Sequence, residues 1–150
     1  MAESIREKII GNIITTIKSI TVENGYGLTI RDARRVSFTP FNQAVFPIAE
    51  IQDLSEDKQD GVPMGHTTCQ LHLSIAVWDK VLTGMSQNTN IYLADVEKAL
   101  HADQTRGGYA YDTDVLGSQF FTTEDILPWG SIVIIVDVWY RHRYGDPYTQ

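Results

Sequence analysis

Four histidines, His66, His72, His101 and His142, are the natural starting points for metal or acid–base chemistry. No two of them sit at the i,i+3 or i,i+4 spacing that sets two imidazoles on one turn of helix. His66 and His72 fall on one side of an alternating run, but six residues of strand hold them ~20 Å apart, too far to share one ion. The single cysteine, Cys69, lies in the same run and reads as a small buried hydrophobe. It has no electropositive setting to make a thiolate, and one cysteine excludes an internal disulfide. Gly107-Gly108-Tyr109 is a loop signal, since no Lys-Ser/Thr follows to make a phosphate cradle. The carboxylates Asp112, Asp114, Glu124 and Asp125 flank a strand and read as solvated turn residues rather than an acid–base pair. The chain therefore carries no expected catalytic residue, metal ligand or cofactor. The competing reading is a ligand-binding or catalytic domain using a groove beside the long strand, with His66, His72 and Asp112 as its polar groups.

Charge narrows the partners. The chain is 43% hydrophobic with a net charge of -7, a poor composition for gripping phosphate backbones. Arg31, Arg34 and Arg35 form one basic group, best read as salt-bridge or interface residues beside Asp32. A second basic group ends the chain. Residues 52–65 read as an acidic loop holding Asp53, Glu56, Asp57 and Asp60. No stretch approaches the ~20 apolar residues of a membrane span, and charged residues near the start leave no signal-peptide core. These features point to a protein of a reducing cytoplasm.

The elements that must position these residues follow from periodicity. Ile5, Ile9, Ile10, Ile13, Ile14, Ile17 and Ile20 make one face of a helix over 3–20, with Glu3, Arg6, Lys8, Asn12, Thr16 and Lys18 on the other. Strands are expected at 27–36, as a solvated or edge strand, and at 44–51, where Pro47 demands an edge or a bulge. Residues 66–79 alternate cleanly, with Cys69, Leu71, Leu73, Ile75 and Val77 on one side. That length suggests one arm of a long projecting hairpin. A second helix is expected at 89–103 with Ile91, Leu93, Val96, Ala99 and Leu100 apolar, then a loop at 104–112. Strands follow at 113–123 and, after a Pro128-Trp129-Gly130 turn, at 131–141. The order α-β-β-β-α-β-β over residues 1–150 makes one α+β domain: a two-layer arrangement with a mainly antiparallel sheet and two helices on one face.

The last strand is apolar on both sides. Ile132, Ile134, Val136 and Val138 make one face; Val133, Ile135 and Trp139 make the other, interrupted by Asp137. Helices on one side of the sheet leave the second face in want of cover, either from the chain itself or from another subunit. Trp139, Arg141, Arg143, Tyr144 and Tyr148 crowd the end of the chain with the residue types enriched at interface centres.

The sequence "IREKIIGNIITTIKSI", then "NGYGLTI", the long strand "TTCQLHLSIAVWD", the helix "NIYLADVEKALHAD" and the ending "VDVWYRHRYGDPY" together resemble the tail terminator, or tail completion, proteins of long-tailed bacteriophages. The resemblance spans nearly the whole chain and rests on element order and on the aromatic-basic ending. It implies a non-enzymatic structural subunit of the virion, assembled in the host cytoplasm. Such subunits form a ring, typically a hexamer, on the head-proximal end of the tail tube. There the ring stops tube polymerisation and offers a surface to the head–tail connector, while DNA passes through the lumen. It also implies that the C-terminal strand and tail, and the 52–65 segment, are contact surfaces. A cyclic ring needs two different patches on each subunit. Arg34, Arg35, Arg141 and Arg143 are the expected partners of Asp53, Glu56, Asp57 and Asp60, or of Glu124 and Asp125, on a neighbour. An acidic lumen would suit DNA transit by repulsion.

Overall fold

The computed structural model describes residues 2–36, 45–61, 63–80, 84–123 and 129–150. Helix α1 spans Ile5–Lys18. It starts where it does because the Ser4 side chain accepts a hydrogen bond from the Glu7 amide and satisfies a donor the helix cannot. A short 3-10 turn at Val22–Asn24 leads to the strands. These are β1 (Asp32–Arg35), β2 (Ile48–Asp60) and β3 (His66–Lys80), followed by helix α2 (Met85–Ala102), then β4 (Asp112–Thr123) and β5 (Trp129–Arg143). They form one five-stranded sheet in the order β1-β2-β3-β5-β4. Every pairing is antiparallel except β1 with β2, so the expected α+β architecture and element order hold.

Alternation along β3 and β5 decides which side is covered. Cys69, Leu71, Leu73, Ile75 and Val77 face Tyr140, Val138, Val136, Ile134 and Ile132 in register, and all ten are buried. They join the α1 isoleucines and Tyr92, Val96, Ala99 and Leu100 of α2 in a single core. Burial of this stripe overrides the weak helix preference of isoleucine in α1.

The chain departs from expectation in several places: β1 is only Asp32–Arg35 of the expected 27–36, and Trp129 and Gly130 of the expected turn already pair within β5. The acidic segment 52–65 is not a loop. Strand β2 continues through it to Asp60, pairing with β3 as far as Asp60↔Thr67, with an irregularity at Leu54. Pairing with a long neighbour supplies the backbone hydrogen bonds there, so no hydrophobic alternation is needed to hold the segment extended. Pro47 lies just ahead of β2, where its missing donor costs nothing. The hairpin is long, and β5 accompanies β3 to its far end at His66↔Arg143, so it extends as part of the sheet. In α2 the expected Val96, Ala99 and Leu100 are buried, but the inward face is broader toward Tyr92 and Asp95 than expected. Tyr92 and Asp95 are buried, whereas Ile91 and Leu93 are only partly so. The polar tips turned inward are satisfied: Tyr92 donates to Asp79 at 2.6 Å, and Asp95 accepts from the amides of Gly27 and Leu28 at 3.0 Å each.

Candidate functional site: the open face of the sheet

The residues of the second sheet face come from alternate positions of the same strands. No described helix covers them. At the end where β5 begins, Val133 and Ile135 of β5 lie half-buried beside Ala76 and Trp78 of β3. Next to them runs β4, on whose outer side no described strand pairs. From Val115 to Thr123 it carries no charged residue, and Leu116, Phe120 and Phe121 are 55%, 43% and 43% exposed. Gly117 pairs with Ile135, and with no side chain there the face sinks into a hollow of about 410 Å³ lined by Leu116, Phe121, Val133 and Ile135. This answers where the apolar second face of the last strand goes: among the described residues it stays partly open.

The other half of the face is polar. Asp137, only 2% exposed, accepts from Gln70 Nε2 at 2.7 Å and from His72 Nδ1 at 2.6 Å. His72 Nε2 faces Asp57 of β2 at 2.9 Å. Only the imidazolium can donate to both carboxylates, and the hydrogen bonds to Asp57 and then Asp137 hold the His72 pKa above its ordinary value. A histidine so held has no free lone pair, so the arrangement fixes three strands together rather than offering a base to a nucleophile. Beyond it, Trp139, Tyr111, Gln70, Thr68 and Asp57 line a recess of about 540 Å³. Arg141 lies over the Tyr111 ring with its guanidinium carbon 4.4 Å from the centroid.

The expected contact residues divide into two groups. Several are engaged inside the chain. Arg34 pairs with Glu50 at 3.3 Å and Arg35 with Glu7. Arg6 of α1 holds Asp53 at 2.9 Å and Glu56 at 3.6 Å, and Glu56 also accepts from the Tyr140 hydroxyl. Asp60 accepts from Thr67 at 2.6 Å at the hairpin end. Asp57 does both, pairing with His72 while its carboxylate stays exposed at the recess; the remainder face outward, Trp139 and Arg141 around the recess and Arg143, Tyr144 and Tyr148 at the exposed end of the chain. Glu124 and Asp125, the alternative acidic partners, and Pro128 of the expected turn lie outside the described residues.

Of the groove residues in the competing reading, His72 sits in the polar cluster, His66 is near the hairpin turn, and Asp112 accepts from the Thr113 amide. They do not converge. Cys69 is fully buried, and burial raises its thiol pKa. Among the described residues no group of three His, Cys, Asp or Glu is placed to hold a metal ion, and no helix is long and apolar enough to cross a membrane. The Asp57–His72–Asp137–Gln70 network escaped sequence reading. The one available hint was an aspartate interrupting an apolar strand beside an alternating strand with His and Gln on its polar side.

What fold and surface define is a two-layer α+β protein whose open sheet face is half apolar and half charged. No family model matches the chain, and no curated protein matches its sequence.

Proposed function

We propose that this chain is a non-enzymatic structural subunit that assembles with copies of itself into a ring, in the manner of the phage tail terminators it resembles. In that role the ring caps the head-proximal end of a tail tube, ends tube growth and presents a surface to the head–tail connector. DNA crosses its lumen without being bound specifically. The observation that carries this reading is the half-open apolar face at Val133, Ile135 and Phe121, beside the stretch 115–123 of the outer strand, which carries no charge. Uncovered strand edges of soluble proteins are normally guarded by charge or shortness, and contiguous exposed apolar surface marks association. Electron microscopy of tails assembled with and without the protein tests the role. Tubes of uncontrolled length in its absence are expected; tails of normal length and normal joining to heads would sink it.

A further inference from the structure

The recess at the polar end of the open face sets aromatic rings beside carboxylates. Its walls are the Trp139 ring, the Tyr111 ring, Gln70 and the exposed carboxylate of Asp57. In register on the same face lie Asp112 opposite Trp139 and Asp114 opposite Asp137. Four carboxylates, Asp57, Asp112, Asp114 and Asp137, thus share this end with three cations, His72, Arg141 and Arg143. Lys58 also borders the recess, but its ammonium pairs with Glu56 at 3.5 Å. Arg141 on Tyr111 shows that a guanidinium already packs on an aromatic ring at this wall.

The chain holds seven arginines. Arg6, Arg34, Arg35, Arg106 and Arg141 all have partners within it. Arg143 and Arg31 are exposed; the Asp146 carboxyl pKa is lowered by the Thr149 hydroxyl and also by nearby Arg143, whereas Arg31 has no side-chain partner among the described residues. Arg143 belongs to the same end of the same face as the recess, so its use between copies would pair like with like and close a two-fold dimer. Arg31 lies elsewhere. Its amide donates to Pro47 at the start of β2, and the nine steps from Ile48 to Asp57 put ~30 Å of strand between it and the recess. Arg31 cannot reach its own recess. It can reach a neighbour's, and a contact joining two different patches repeats around a ring.

We propose that the recess receives the Arg31 guanidinium of a second copy, seated between the Trp139 ring and the Asp57 carboxylate. This rests on the ring reading above and names one of its contacts. A guanidinium fits better than an ammonium because it is flat enough to stack and can meet a carboxylate with two donors.

Sedimentation velocity on the full chain tests it. Asp57→Arg and Arg31→Asp are each expected to weaken self-association roughly tenfold or more, as desolvated charge pairs do, and the double variant to recover it. Singles that associate like the unaltered chain, or a double variant as dissociated as either single, overturn the contact while leaving the ring reading intact. A chain that is monomeric throughout shows that no ring forms in free solution and leaves ring formation on the tube tip to the microscopy of tails. The recess is then judged alone by titrating N-acetyl-arginine amide and following the Trp139 indole proton by NMR. A shift that is lost in Asp57→Asn and smaller with the lysine analogue supports a guanidinium seat; no shift overturns it. If that shift appears but the charge swaps leave association unchanged, the second copy is ruled out as the source of the cation.

Discussion

Asp137 is almost fully buried on a sheet face that no described helix covers, and its neighbours explain why that is tolerable. An unpaired buried carboxylate would be costly. Here Gln70 and His72 both donate to it, and His72 hands its second N–H to Asp57. The pKa of His72 is therefore raised, with Asp57 and Asp137 as the causes. Because the folded value lies above the ordinary ~6.5, the stabilisation is whole below pH about 6.5 and is lost as pH climbs through the folded value. An NMR titration of the His72 ring should give a midpoint above ~6.5 that falls in both Asp57→Asn and Asp137→Asn. The urea-midpoint advantage of the natural chain over His72→Gln should shrink as pH rises through that midpoint. A ring titrating at or below the ordinary value would refute the clamp. Little of this was legible beforehand, because sequence reading places His72 and Asp137 on faces but not in register. Only the pairing His72↔Asp137 brings two residues 65 positions apart into hydrogen-bond reach.

Elements with strong periodicity were read closely. The isoleucine stripe became Ile5–Lys18, the alternating run His66–Lys80, and the doubly apolar run Trp129–Arg143. Distal β2 was missed because its polar, acidic residues carry no hydrophobic signal; its strand state is imposed by β3. The facing of α2 was read at Val96, Ala99 and Leu100 but missed at Tyr92 and Asp95, inward residues whose polar tips find partners. Gly27 belongs to the same contact. A Cβ there would stand 2.6 Å from Ile91 Cγ2, a carbon one bond from the helix-bound Cβ and stiff about χ1. Gly27→Ala should thus cost about 1–3 kcal/mol by overpacking. Asp95→Ala should cost a similar ~1–3 kcal/mol by stranding two amides. Urea denaturation reads both, and a Gly27→Ala chain of unchanged midpoint would contradict the packing. On β4 the expectation concerns association. Phe121→Lys, an exposed position, should leave far-UV circular dichroism unaltered while shifting the sedimentation profile toward the monomer. Undiminished association would remove this strand from the interface.

At the scale of the whole molecule, the end of the chain is a clasp as well as an outward surface. Beyond β5 the chain makes turns from Tyr144 to Tyr148, and sequence reading took the tyrosines there for contacts. The backbone tells more. The Ile5 amide, one of the donors α1 cannot satisfy itself, donates to Pro147 at 3.0 Å. Tyr144 donates to Gly65 in the β2–β3 turn at 2.9 Å, and Gln150 Nε2 reaches the carbonyls of Gly108 and Tyr109 in the loop before β4. Three segments far apart in sequence are thus tied by one short stretch, while Tyr144 and Tyr148 remain 64% and 54% exposed. Removing residues 147–150 should lower stability by about 1–3 kcal/mol, the net value of a few hydrogen bonds. It should also speed amide exchange at Ile5 well before the sheet amides respond. Tyr144→Ala should do neither, since its amide bond survives and its ring is exposed, yet it should weaken association if the same end faces a neighbouring copy. A truncated chain whose Ile5 amide stays protected would show that α1 does not depend on the clasp.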